Sequence, residues 1–512
     1  MHLLSVALLT ISVKIANSQQ IFDVYQTTHD QNHLFSAVGP GVASPINFDT
    51  PGTSAASADI VVDETTVYQS IAGYGASLTD ASASVLNGLK TANKDKYQEL
   101  LNKLFDVSDS NGNAGLTYLR VPLGATDFSA NVWSFDEADG DTALDHFDVN
   151  NAPAELFSVI QDILSVNPDI KIHILPWSPP GWMKDSGTMK GGVLKDEYQD
   201  VFANYLLKCL QAFKDKGVTA YAISIQNEPE NNNDSLPSTV YTAAKEAAVG
   251  KALRTLMDKN GFNNVKLIGY EHNWDHAAEY PVHLLDAAPG AFAGVSFHCY
   301  RGTVDQMEEF YEKYKDKEIC GCLHGNNRDT EKTDQCTGTS DTDWWADVKW
   351  TTQILGVEAT KHHAMSSLYW NLALDENGGP QLDGASSCEH EGGCTGLVEV
   401  KSDGTYVLRQ QYYALAQLSK AILPKDAGGP FGKRIGVSVT GDQSWALVVG
   451  AFLTERGVAN EPSRYSLVVL NYYDTDSTGK ADPHDVEATI SFKGKQAKYT
   501  FPVGVSTLFW YA

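Results

Sequence analysis

The chain has 512 residues, 42% of them hydrophobic, and carries 64 Asp and Glu against 38 Lys and Arg, a formal net charge of −26. A field of that sign repels nucleic acid and anionic lipid, which excludes both as partners and suits a neutral substrate. The length allows roughly two to four ordinary domains, or one barrel with a companion.

In chain order, the opening MHLLSVALLTISVKIANSQQ has the build of a secretory signal. An apolar run from Leu3 to Val13 precedes Ala16-Asn17-Ser18, a small-x-small cleavage pattern, so residues 1–18 are expected to be removed and the protein to be extracellular. The alternative is a buried N-terminal helix. No later stretch has the ~18 consecutive apolar residues of a membrane span. In a secreted chain Asn233-Asp234-Ser235 would be a glycosylation acceptor.

Residues 19–64, with ADIVVDETTVYQ, have β character and are expected to contribute to a sheet domain. Residues 65–424 alternate short apolar runs with helical patterns. The runs are QSIAGYGA, LTYLRVPL, KIHILPW, AYAISIQNEP, VKLIGYEHN, GVSFHCY, KEI and SSLYWNLAL. Between them, Leu156, Ile160, Ile163 and Leu164 follow helical spacing, as do Phe202, Tyr205, Leu206, Cys209 and Phe213, with Gly217 where a helix stops. The pattern predicts an α/β chain with a (β/α)8 TIM barrel whose site lies at the C-terminal strand ends. A doubly wound open sheet is the alternative. Residues 425–512 read as six short strands between Gly, Asp, Ser and Pro, a side-packed antiparallel β-sandwich.

The seven cysteines are an odd set. Cys388 and Cys394 bracket EHEGG, and a local disulfide is expected in an oxidising compartment. Cys320, Cys322, His324 and Cys336 match no compact zinc spacing, so thiols and no metal are expected there.

The sharpest chemical signal is ISIQNEPE at 223–230. Pro229 cannot extend a ladder, so Glu228 is expected at the strand's C-terminal end beside Asn227. A carboxylic acid next to an amide suits a sugar's bridging oxygen and its 2-hydroxyl. Other strand ends place Arg120 and Asp127 near the second strand, Trp177 and Trp182 near the third, and Glu271, His272 and Trp274 near the fifth. His298 and Tyr300 fall near the sixth, Trp370 and Asn371 near the eighth. Aromatic faces interleaved with polar groups are what a sugar ring requires. A partly apolar site and neighbouring carboxylates are expected to raise the pKa of Glu228.

The motifs IAGYGASLTDASASVLNGL, YLRVPLGATDFS, LPWSPPGWMK, SIQNEPE, GYEHNWD and YWNLALDENGGP together resemble glycoside hydrolase family 30, the glucosylceramidases and fungal endo-β-1,6-glucanases. GYEHNWD and the β-rich tail are most similar to the fungal glucanase branch. The resemblance implies a retaining β-glycosidase without cofactor, acting on β-glucan polysaccharide or oligosaccharide as a monomer. It implies Glu228 as acid/base, Asn227 as its 2-hydroxyl partner, and Asp127, Trp177, Tyr300 and Trp370 around the sugar before the scissile bond. The family nucleophile ends the seventh strand in a pattern like KEIYxTECTGT. Here both flanks are present, KEI at 317–319 and CTGT at 336–339, but the middle differs. Anchoring on KEI puts Leu323 at the nucleophile position, and anchoring on CTGT puts Gln335 there. Glu331, in DTEKTDQ, is a third candidate. The sequence therefore supports a secreted endo-β-1,6-glucanase, against a catalytically impaired β-glucan-binding protein of the same fold. Glucosylceramidase or β-xylosidase specificity is a further alternative.

Overall fold

The computed structural model describes residues 19–38, 46–52, 56–108, 112–324, 344–385, 387, 394–475 and 482–512. The expected leader, Glu331, Gln335, Cys336 and Cys388 lie outside the described residues, and with Cys388 the expected bridge to Cys394. Cys209 and Cys320 are buried thiols. No helix among the described residues is long and apolar enough to cross a membrane.

Eight parallel strands close into a barrel. In chain order they are Gly73–Ser77, Tyr118–Pro122, Lys171–Leu175, Ala220–Ser224, Lys266–Asn273, Gly294–His298, Glu318–His324 and Ser366–Tyr369. The eighth returns to the first through the register Ser366–Gly73 to Tyr369–Ala76. Parallel strands covered by helices are buried on both faces, which is why these runs are apolar almost throughout. Leu156, Ile160 and Ile163 are buried on the helix Ala154–Val166. Phe202, Tyr205, Leu206, Cys209 and Phe213 are buried on Gln199–Asp215. That helix ends at Gly217, left-handed at φ +79°, whose N–H reaches the Lys214 carbonyl at 2.9 Å.

Two strand ends differ from the sequence reading. The fourth ladder stops at Ser224, short of Asn227-Glu228-Pro229, and beyond it Glu228 takes a left-handed backbone at φ +48°. The seventh strand runs past KEI to His324 and pairs Leu323 with His298 on one side and Leu368 on the other. It passes so close to the eighth that, with the two strands as they lie, a Cβ on Gly321 would stand 1.5 Å from the Ser366 carbonyl oxygen.

The second unit uses both ends of the chain. Gln20–Thr28 and Ala58–Ser70, with the short strands Ser36–Ala37 and Ile46–Asn47, join six C-terminal strands from Lys433–Thr440 to Gly504–Tyr511 in one ten-stranded sheet. It is antiparallel except where Val486–Phe492 runs parallel to Ala58–Ser70. The sandwich is thus one continuous sheet that curls around its own apolar cluster, which includes Ile21, Ile60, Leu467, Ile490, Phe501 and Trp510. Its far strands draw together through a bridge between Asp49 and Gln496.

The helix Gln410–Ile422 packs between barrel and sheet. Its fully buried Gln417 donates to Thr27 Oγ1 at 3.0 Å and accepts from Thr507 Oγ1 at 2.7 Å. Replacing Gln417 by Ala leaves buried hydroxyls on two sheet strands with a lost partner, and is expected to destabilise the protein by about 2 kcal/mol. Urea unfolding followed by tryptophan fluorescence measures it.

Candidate active site

A buried ionic core lies inside the barrel below the strand ends. Glu271, 1% exposed, accepts from Arg120 Nη2 at 3.1 Å and from Ser224 Oγ at 2.7 Å, with His173 Nε2 at 3.3 Å. Burial opposes its charge, but Arg120 above all, with His173 and His298, holds the carboxyl far below the usual range. Burial pushes His173 down to about 4, so it is neutral at pH 7. It lies 2.7 Å from Ser224 Oγ and 3.2 Å from Tyr118 Oη.

Arg120 carries this order outward. The same Nη2 donates to Asn227 Oδ1 at 2.7 Å, and its guanidinium lies 4.7 Å from the centre of the Trp177 ring. Asn227 is also fixed through its backbone N–H to the Pro176 carbonyl at 2.8 Å. With the amide oxygen occupied, the amide nitrogen is the group left to donate to a sugar hydroxyl.

Glu228 stands beside it, its side chain 17% exposed. Its backbone N–H donates to the Glu271 carbonyl at 3.0 Å. One carboxylate oxygen meets His298 Nδ1 at 2.9 Å, and the other accepts from Asn231 Nδ2 at 2.8 Å. On the far side of the imidazole, Nε2 lies 3.6 Å from Glu271 Oε2. The expectation of a raised pKa is corrected here. Burial does push Glu228 up, but the hydrogen bond and charge of His298, helped by His272 and Asn231, outweigh it and hold the carboxyl at about 2.

Trp177 and Trp370, 4% and 6% exposed, stack on each other with centroids 4.9 Å apart and 20° between planes. One face of each ring is covered by the other, so each has at most one face or an edge for a sugar. Phe128 meets Trp370 edge-on at 5.9 Å. Asp127 is buried beside them; burial pushes it up to about 6, with Glu228 adding to the rise and hydrogen bonds from Ser387 and Trp370 opposing it. Tyr300 follows the sixth strand, its N–H on Asn273 Oδ1 at 2.9 Å and its ring 6.0 Å from that of His298.

Other strand-end residues serve elsewhere. Trp274 is fully buried in the main apolar cluster, and Trp182 donates its indole N–H to the Asp136 carbonyl at 3.2 Å. His173, Ser224 and Asn231 went unnoticed in the sequence. A His inside KIHIL and a Ser inside AYAIS, polar groups in otherwise apolar buried runs, were the available signal for the first two. The acidic residue of the seventh strand, Glu318, is at its N-terminal end and pairs with Lys266 at 2.5 Å. At the other end stands Leu323. Among the described residues no group of three His, Cys, Asp or Glu could hold a metal ion.

Asp127 yields a test with a definite sign. Its folded pKa is raised, so the folded state binds the extra proton between about 4 and 6, and its ionisation costs stability as pH rises through that window. Asp127→Asn is expected to gain up to about 3 kcal/mol above pH 6, at 1.36 kcal/mol per unit, and nothing below about pH 4, while binding sugar more weakly. Urea midpoints at both pH values, with a glucan-binding isotherm, measure this.

The barrel matches the model described as the glycosyl hydrolase family 30 TIM-barrel domain over residues 71–422. An endo-1,6-beta-D-glucanase of Neurospora crassa is 31% identical over 439 residues, 82% of each chain. One from Trichoderma harzianum is 27% identical over 399 residues, 74% of this chain and 75% of the relative. Among solved structures, an endo-beta1,6-glucanase superposes with a TM-score of 0.79 at 22% identity, covering 96% of this chain and 99% of the other. SrfJ from Salmonella typhimurium superposes at 0.78 and 20% identity, covering 97% and 100%, and both share the fold of barrel plus sheet. Barrel, sheet and the match over most of its length together establish that the chain belongs to glycosyl hydrolase family 30.

Proposed function

We propose that this protein is a secreted hydrolase of β-1,6-linked glucan that acts within the polymer with retention of configuration. The observation that carries the reading is the Asn227–Glu228 pair at the barrel mouth, with the Asn227 oxygen engaged by Arg120 at 2.7 Å so that its amide can face a 2-hydroxyl. The similarity to fungal endo-1,6-beta-D-glucanases supports the substrate. In this reading a second carboxylate bonds to the anomeric carbon as the bond to the leaving sugar breaks and Glu228 protonates the bridging oxygen; Glu228 then takes a proton from the water that displaces that carboxylate. Asp127 accepts hydrogen bonds from sugar hydroxyls, and the Trp177–Trp370 wall excludes water.

An acid at about 2 is deprotonated where it must donate. A second carboxylate about 5–5.5 Å away, the partner that retention requires, would oppose the influence of His298 and lift Glu228 toward working pH. Glu331 is the candidate for that partner. A second reading, a glucan-binding protein with impaired hydrolysis, is favoured by Leu323 in register with His298 at the end of the seventh strand.

Hydrolysis of β-1,6-glucan by the unmodified chain, by Glu331→Gln and by a version with YFTE in place of Cys320–Gln335 separates the readings. The replacement is expected to raise turnover at least about a hundredfold, roughly 2.7 kcal/mol of barrier. Full activity in the unmodified chain, lost in Glu331→Gln, would assign the nucleophile to Glu331 and end the impaired reading. In whichever form is active, Glu228→Gln is expected to lose most turnover on polymer and less on activated aryl glycosides, whose leaving groups need little protonation. An unimpaired Glu228→Gln enzyme on polymer would remove the acid assignment.

A further inference from the structure

Glu246 lies outside the barrel, on the helix Ala243–Lys259, and is fully buried. It shares the inward face with Ala247, Val249, Gly250, Leu253 and Met257. A carboxyl group in such company needs a specific partner. It has one: Oε1 accepts the backbone N–H of Tyr270 at 3.0 Å.

That amide belongs to an irregular piece of the fifth strand. Between Gly269 and His272 the strand advances three residues while the sixth advances two, from Val295 to Phe297. Tyr270 and Glu271 have no register partner on either neighbouring strand. Both have left-handed backbones, φ +70° and +48°, which non-glycine residues rarely adopt and which persist only where the surroundings enforce them. The bulge does two things for the site. It bears the Glu271 side chain that meets Arg120 and faces His298, and its Glu271 carbonyl holds the backbone N–H of Glu228 at 3.0 Å.

We propose that Glu246 is a positioning residue for the acid/base site: by holding the Tyr270 amide it fixes the bulge, and through Glu271 it sets Arg120 on Asn227 and His298 on Glu228. The inference rests on the hydrolase reading for its catalytic consequence but not for its structural one. Burial pushes the Glu246 carboxyl up to about 7, against the Tyr270 N–H and the Tyr280 hydroxyl. An oxygen that accepts from Tyr270 is present whether the group is ionised or protonated, so an amide should replace it.

The test compares Glu246→Ala, Glu246→Asp and Glu246→Gln for turnover on β-1,6-glucan and for amide exchange in the 266–273 segment. Ala and Asp, the latter one methylene too short to reach Tyr270, are expected to lower kcat at least about tenfold with KM within about twofold, and to speed exchange in that segment. Gln is expected to restore both to within about twofold of the parent. If Ala does not fold, Asp and Gln carry the comparison. Unchanged kcat and exchange in Asp, or a Gln variant as impaired as Asp, overturns the proposal. If the parent does not hydrolyse glucan, the hydrolase reading fails separately, and exchange alone decides: faster in Asp and normal in Gln upholds the positioning role, while unchanged exchange in Asp overturns it.

Discussion

The buried pair of Arg120 and Glu271 is the interaction on which the site depends. Both side chains are 1% exposed, so neither charge has water to fall back on. Loss of one partner from such a pair leaves an uncompensated buried charge and typically costs about 3–5 kcal/mol. The pair is also the hub of the hydrogen bonding: Arg120 orients Asn227, Glu271 faces His298, and His298 meets Glu228. Strands two, four, five and six are tied together through side chains rather than through their ladders alone.

The same cluster sets the electrostatics. Two carboxyl groups near one another are driven apart in pKa, Asp127 up to about 6 and Glu228 down to about 2, because burial dominates at Asp127 while Glu228 bonds to an imidazole. Environment, not residue type, makes the difference. A group so strongly held as an anion becomes an acid only when further negative charge arrives. Under the proposed hydrolase reading, the identity of the residue that follows the seventh strand therefore bears on the protonation of Glu228 as well as on nucleophilic attack.

The architecture was largely legible. Eight apolar runs spaced by helical patterns fold as a closed parallel barrel, since burial on both faces demands such runs and helical crossovers demand such spacing. The β-rich tail and the early β segment share one sheet. Its continuity, with a single parallel pairing and edges drawn together at Asp49 and Gln496, was not legible, because strand order depends on contacts between segments hundreds of residues apart. Within the site, Asn227, Glu228 and Asp127 could be named from local motif. Ser224, His173 and Glu246 could not be given roles, since each acts through a partner on another element.

By itself the sequence determined the alternation of strands and helices, the place of Glu228 beside Asn227, and the uncharged residues at both anchored nucleophile positions. The first two follow from local spacing and side-chain chemistry, the third from the resemblance to the family's seventh-strand pattern. The tertiary structure decided what those groups experience. The left-handed turn at Glu228, the bulge at Tyr270–Glu271 and the imidazole between two carboxylates arise only when the barrel closes. Closure encloses the interior where side chains from the fourth, fifth and sixth strands meet, and removes water from it. A charge's energy there depends on neighbours distant in sequence, which is why a partly apolar site with neighbouring carboxylates pointed to a raised pKa for Glu228 and the folded site holds it low.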